Sequence, residues 1–545
     1  MIYVHVPFCR SFCTYCGFYS EICRRAPRSS TQAPGSREDS RQVQNRLFEE
    51  YAAALRDEIA VRSTELVAAR RGSALGPVPP SAPSLSGSPA PDTLYIGGGT
   101  PSVLPLPVLE DIVGCLGPSD YEEFTIEVNP DDIVSGGPEY VSGLRRLGVN
   151  RVSMGVQSFD DGILKWMNRR HDAAGAREAF RLLRACGFDN ISIDLIFGLS
   201  QLSADAWADT VLAALALEPE HISAYQLSIE EDSALERMVA DGRYVEASDE
   251  QCRSQYDALC RMLAEAGYVH YEISNWARPG REAVHNSAYW LRVPYVGLGP
   301  GAHSFSLSSS RSVSSLDTNQ HPIAVSSPPA VQPSPDLSSN PLGAASSSAV
   351  PSSSPVQSSR DLSSNPLGTA SSPAVPSSSP VQSSPDLSLN PIGVASSSAV
   401  PSPSSARPSS YLYIGAPGVR SWNSQELPRR EAGGSLRRWS SEQEALSARE
   451  AAEEAIMLGL RTSAGLPLVV LRTLSPDAPT DTLLSEGALQ LFRPAPAAAL
   501  SSPLSAPASP ATDVQAPDVQ APDVFVRIPE DHFFVSDDII SRLLP

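Results

Sequence analysis

Ile2-Tyr3-Val4-His5-Val6-Pro7-Phe8-Cys9-Arg10-Ser11-Phe12-Cys13-Thr14-Tyr15-Cys16 begins with a short apolar run, stops at a proline and leads directly into three cysteines. The run is mostly β-branched or aromatic and reads as a strand. Cys9-x3-Cys13-x2-Cys16 then puts three thiols on one short loop at the strand's C-terminal end. Thiolates are soft ligands suited to zinc or to an iron–sulfur cluster. A closed structural zinc site wants four ligands, and only Cys23 could complete one locally. Three thiolates alone suit a four-iron cluster that leaves one iron open to an exchangeable ligand. Unligated thiols are a third reading.

Working outward, the same order of strand and then chemistry recurs. Strand-like runs lie at Thr93–Ile96, Phe124–Val128, Arg151–Val156, Ile191–Phe197 and Ile222–Ile229. Between them are helix-patterned segments. Leu47, Tyr51, Leu55 and Ile59 recur every four residues and make one apolar stripe; Tyr140–Leu147, Ala173–Cys186 and Ala204–Leu217 read similarly. Six strand–helix units predict an α/β fold, a parallel sheet with covering helices, open or closing toward a barrel. Near the strand ends come Gly97-Gly98-Gly99-Thr100, Glu127, Gln157, Asp194 and Ser228, with Arg169 between the fourth and fifth strands. In barrel-like α/β folds that rim is where sites are built. The glycines let backbone approach a ligand, or simply make a tight turn. The acids and amides offer acceptors for ammonium and hydroxyl groups, and Arg169 a cation for a carboxylate.

The chain has 545 residues and a formal net charge of −20, with 50 prolines and 35 glycines. Much of the Pro and Ser lies in 306–410, where Asp336, Asp361 and Asp386 mark a repeat of period 25. Those units lack the apolar face that stacked repeats bury, so a disordered insertion is expected. Shorter segments of the same kind are 26–39, 72–91 and 494–522. The predicted organisation is a core over 1–305, the insertion over 306–410 and a C-terminal region over 411–545. The acidic balance argues against nucleic acid as a partner. No apolar run reaches the roughly 18 residues of a transmembrane segment. Eight scattered cysteines without an export signal point to a reducing, cytoplasmic setting. Cys115, Cys186, Cys252 and Cys260 are expected to be small buried hydrophobes.

Histidines and aromatics gather after the sixth strand. They run from His270-Tyr-Glu272 to Trp276, then His285-Asn286-Ser-Ala-Tyr289-Trp290, then Gly299-Pro-Gly301-Ala-His303. A neutral imidazole beside aromatic rings can ligate heme iron. The same residues can equally make an aromatic core patch with a hydrogen-bonded histidine.

The opening stretch resembles the radical S-adenosylmethionine (SAM) signature of the oxygen-independent coproporphyrinogen III oxidase-like family. Gly97-Gly-Gly-Thr-Pro-Ser, Glu127-Val-Asn-Pro, Gly155-Val-Gln157-Ser-Phe, Asp194-Leu-Ile-Phe-Gly-Leu and Gly299-Pro-Gly-Ala-His match its later blocks in order. The likeness runs from Met1 to about Phe305 and resumes at Arg420-Ser-Trp-Asn. It implies a partial (β/α)6 barrel with a small, mostly helical, winged-helix-like C-terminal region. It also implies a [4Fe-4S] cluster on Cys9, Cys13 and Cys16, whose open iron takes the methionyl moiety of SAM. Electron transfer from the cluster, fed by a reductant protein, then cleaves the sulfonium to a 5′-deoxyadenosyl radical. The nucleotide contacts carried over by motif are Tyr3, Tyr15, Gly98, Gly99, Thr100, Glu127, Gln157, Arg169, Asp194 and Ser228.

Two branches of the family differ. The oxidase branch carries a further cysteine two places after the third cluster cysteine, where this chain has Phe18, and a longer extension ahead of the motif, where this chain has eight residues. The HemW-type heme-chaperone branch is similar on both counts and carries His-Asn-x-x-Tyr-Trp, here His285, Asn286, Tyr289 and Trp290. That branch implies heme as cargo for an acceptor protein; the oxidase branch implies oxidative decarboxylation of coproporphyrinogen III. The insertion after Phe305 departs from the family pattern.

Overall fold

The computed structural model describes residues 1–23, 40–70, 91–307, 418–430, 436–437, 439–494 and 524–545. The low-complexity segments, apart from a few end residues, lie outside the described residues. The described residues all fall in the first compact unit of the chain.

Six strands build the core of the first unit: β1 (Ile2–Val6), β2 (Thr93–Gly98), β3 (Glu123–Val128), β4 (Arg151–Gln157), β5 (Ile191–Phe197) and β6 (His221–Gln226). They pair in parallel, in chain order. Near-continuous burial along each strand is what a parallel sheet covered on both faces requires. Three additions escape the strand-like runs of the sequence. The hairpin β7 (Val269–Glu272) and β8 (Asn275–Ala277) extends the sheet antiparallel beyond β6, and β9 (Val296–Leu298) adds in parallel outside β1. The order is β9-β1-β2-β3-β4-β5-β6-β8-β7, so among the described residues the sheet is open and not a closed barrel.

The crossovers are helices α1 (Ser40–Val61), α2 (Leu106–Leu116), α3 (Pro130–Leu147), α4 (Ala173–Ala185) and α5 (Ala204–Leu215). The expected apolar stripe of α1 is buried at Tyr51, Leu55 and Ile59. Helix α3 starts ten residues before the expected Tyr140 because it is two helices joined across Gly137, which has φ 64°. Pro138 follows and lacks the N–H that an unbroken helix would need. Asp172 and Ser203 start α4 and α5 by accepting the amides of Gly175 and Ala206.

The hairpin-like pair β10 (His303–Ser306) and β11 (Val419–Asn423) joins β12 (Ser441–Ala445) in a separate antiparallel sheet. Helix α6 (Ala448–Leu460) opens with a full capping box between Ser447 and Glu450. Beyond it, β13 (Leu466–Pro467), β14 (Gln490–Phe492) and β15 (Phe525–Arg527) form a small antiparallel sheet beside short helices at Leu468–Leu474 and Thr480–Ser485. This is the expected winged-helix-like region. Of the four cysteines expected to be buried, only Cys252 is; Cys115, Cys186 and Cys260 are half-exposed on helix flanks.

Candidate functional site

A cavity of about 1,020 Å³ opens at the C-terminal ends of the parallel strands. Thirteen of the seventeen residues proposed from sequence line it: Cys9, Cys13, Cys16 and Tyr15 from the first loop, Gly98, Gly99 and Thr100 after β2, then Glu127, Gln157, Arg169, Asp194 and Ser228, and Asn286 from a later helix. Tyr3, His285, Tyr289 and Trp290 are not among its lining residues.

The cysteine loop is pinned by its backbone. Thr14 N–H donates to the Met167 carbonyl (3.1 Å) and Thr14 Oγ1 to that of Trp166 (2.8 Å), while Asn168 Nδ2 reaches the Phe12 carbonyl (2.6 Å). A polar chain then joins two of the thiols across three strand ends. Cys9 Sγ lies 3.4 Å from Thr100 Oγ1, which accepts from Asn129 Nδ2 at 3.2 Å. Arg169 Nη2 donates to Asn129 Oδ1 and to the Gly155 carbonyl, both at 2.5 Å, and its Nη1 donates to Cys13 Sγ at 3.3 Å. Asn129, within the Glu127-Val-Asn-Pro stretch, is the link between the two halves.

Burial raises the Cys9 thiol and pushes Cys16 up to about 11, so both are protonated until a cation draws the proton away. Among the described residues no three His, Cys, Asp or Glu side chains are arranged around one metal ion. Zinc needs its thiolates to converge at about 2.3 Å on a single point. A four-iron cluster binds each thiolate to a different iron, and three thiols lining one roomy cavity are a donor set that suits it.

The second half of the cavity is lined by buried carboxyl groups and their hydrogen-bond donors. Glu127 accepts from Tyr95 Oη (2.8 Å) and the Gly98 amide (3.1 Å). Burial pushes its carboxyl up from 4.5 to about 7; the Tyr95 bond opposes the rise and the nearby Asp194 adds to it. Burial also raises Asp194, against the bonds donated by Ser153 at 3.1 and 3.2 Å. Gln157 sits at φ 70°, where the register of β4 against β5 slips. Held there, it leaves the strand at the cavity. The glycine run has a packing reason as well: a Cβ on Gly98 (φ 112°) would lie 2.7 Å from the His5 ring, and one on Gly99 2.8 Å from the Phe8 carbonyl oxygen. Ser228 lies beyond the end of β6, exposed, its hydroxyl donating to Glu230 at 2.5 Å.

Tyr3 stands off the cavity, its hydroxyl 3.0 Å from His5 Nδ1. His285 is 1% exposed, and both ring nitrogens are occupied, Nδ1 by Thr93 Oγ1 (2.8 Å) and Nε2 by Tyr289 Oη (2.9 Å). This is the hydrogen-bonded core-patch arrangement. His270, stacked on Trp276 at 4.1 Å, is another instance of it. The helix Val284–Trp290 (α7) touches two spaces: Asn286 lines the large cavity, and Tyr289 and Trp290, about one turn further along, line a second one of about 640 Å³. Phe533, Phe534 and Ser536, near the C-terminus, also line the large cavity, which no local sequence pattern announces.

Residues 88–214 match the model of the radical SAM superfamily. The chain is 31% identical to the heme chaperone HemW of Bacillus subtilis, over 56% of this chain and 70% of that protein. It is 34% identical to HemW of Mycobacterium tuberculosis, over 56% and 69%. The chain belongs to the HemW family. Among solved structures it is similar to coproporphyrinogen III oxidase (HemN) of Escherichia coli, a radical SAM enzyme, at 23% identity and TM-score 0.42, over 56% of this chain and 64% of that one. Like other members of the radical SAM superfamily, the HemW family builds on an α/β core, here the open parallel sheet described above. No helix among the described residues is long and apolar enough to cross a membrane.

Proposed function

We propose that this chain is a heme chaperone that holds a [4Fe-4S] cluster and SAM in the large cavity, carries heme against helix α7 and passes it to an acceptor protein. What carries the reading is that three thiols and the ends of five strands line one cavity in a member of the HemW family. Cys9, Cys13 and Cys16 would hold the cluster, and the cluster, when bound, supplies a single electron to the sulfonium. Asn129, bonded to Thr100 and Arg169, orients the two groups that reach toward Cys9 and Cys13. Glu127 offers an ionisable acceptor for the ligand's ammonium, and Asp194, with its serine donors, an acceptor for hydroxyls. Gly98 and Gly99 keep side-chain bulk out of the space. A protein-borne reductant is the expected electron source. Eight cysteines with no disulfide among the described residues are consistent with a reducing compartment, which we take to be the cytoplasm.

The test is oxygen-free reconstitution with ferrous iron and sulfide, followed by SAM and heme titrations of the same sample. The expected result is a brown protein whose cluster spectrum responds to SAM and which binds heme. It should form no protoporphyrinogen from coproporphyrinogen III. Turnover of coproporphyrinogen would favour the oxidase branch, and a pale preparation would remove the cluster from the account.

A further inference from the structure

The second cavity, of about 640 Å³, falls within the range of about 300–1,000 Å³ typical of small-molecule sites. One wall is a sheet face. Residues two apart on a strand share a face, so β10 presents His303 and Phe305 together and β11 presents Trp422 and Arg420. The register puts His303 opposite Trp422 and Phe305 opposite Arg420. Tyr295, bridged to Phe305, extends that face, and the end of α7 adds Tyr289 and Trp290.

This wall set has the chemistry of one ligand class. His303 is exposed, unlike His285, and its ring nitrogens take no hydrogen-bond partner among the described residues; its ring lies 6.4 Å from that of Trp422. Partial burial and the Arg420 charge lower its basicity, which favours the neutral imidazole that can donate to a metal. Trp422 and Tyr295 offer flat apolar faces, while Arg292 lies over the Phe305 ring and Arg461 over that of Trp290. Arg420, with its side chain 40% exposed and one edge on Glu454, keeps donors for a carboxylate. The buried indole N–H of Trp290 likewise has no partner among the described residues. A planar apolar ring system bearing a metal and acidic side arms would use every one of these groups.

We propose that heme is seated in this second cavity, between α7 and the β10–β11 face, with His303 as its axial donor and Arg420 facing a propionate. This rests on the heme-chaperone reading and adds the place and the iron ligand. It also sets the cargo about one turn along α7 from the cluster cavity, since Asn286 lines that cavity and Trp290 the second one.

The experiment is a hemin titration of the cluster-loaded full chain, read by the Soret band and by iron and sulfide content. His303→Ala is expected to weaken hemin binding at least tenfold and shift the Soret band, with cluster content and SAM response retained; added imidazole should restore the band. Trp422→Ala should weaken binding without moving the axial-ligand signature. His303→Met keeps bulk at the position and should change the ligand signature even if the alanine variant folds poorly. Wild-type affinity and an unmoved Soret band in both His303 variants would overturn the assignment, as would a shift seen for His285→Ala and absent for His303→Ala. A wild-type protein that loads its cluster and binds no hemin would instead overturn the chaperone reading itself, and this assignment with it.

Discussion

Tyr95 and the Gly98 amide grip the two oxygens of Glu127, yet the carboxyl is held near neutrality because burial outweighs those bonds. A pKa of about 7 means that lowering the pH below 7 protonates the group that a ligand's ammonium needs. Affinity for SAM should therefore weaken as pH falls from 8 to 6, approaching tenfold per unit at the acid end. Glu127→Gln should bind SAM about 10- to 100-fold more weakly at pH 8, the worth of about 1.5–3 kcal/mol for a charged hydrogen bond, and its remaining affinity should be flat over that range. Calorimetric titration of the cluster-loaded protein checks both. Parallel pH profiles for the two proteins would assign the dependence elsewhere. The three cysteines are legible at this scale because their spacing is local, and Asn129 is not. Its importance comes from Thr100, Arg169 and two thiols brought from distant parts of the chain, and only the folded sheet puts them together.

Between elements, Glu58 on α1 is a polar junction that four donors share. Its buried carboxylate accepts from the Gly299 amide (2.9 Å), Trp439 Nε1 (3.1 Å), Asn423 Nδ2 (2.9 Å) and Arg62 (3.3 Å). It thus fastens β11 and Trp439, which follow the long insertion, to the first helix and the Gly299 turn. Glu58→Gln puts an NH2 where donors already point. It should cost about 1–3 kcal/mol through the unsatisfied donors, seen as a lower denaturation midpoint with an unchanged slope. A midpoint equal to wild type would show that the junction relaxes at no cost. The sequence reveals which elements exist far better than it reveals such junctions. The bounds of β1 and β5 match their apolar runs residue for residue, because Pro7 and Gly198 punctuate them. The hairpin β7–β8 hides inside a cluster of histidines and aromatics that reads as a ligand site, and its strands are too short for period-2 alternation to stand out. His285 shows the same ambiguity from the other side: motif and core patch carry the same letters, and only the bonds to Thr93 and Tyr289 tell the two apart.

At the scale of the whole molecule, the long Ser/Pro-rich insertion enters and leaves at one point. Ser306 and Val419 are register partners in the antiparallel pair β10–β11, so the fold needs no more than a turn between them. Replacing residues 308–417 with a four-residue turn should leave the sheet, the Glu58 junction and both cavities standing. Shortening roughly 110 residues to about 4 is nearly five halvings, at about 0.6 kcal/mol each, so closure entropy alone would stabilise the trimmed chain by about 3 kcal/mol at most. The trimmed protein should unfold at a midpoint equal to or above that of the full chain. After reconstitution it should hold the same iron and sulfide per chain and give the same SAM response. A loss of cluster or of SAM response, in a variant that still unfolds cooperatively, would mean that the insertion acts on the site.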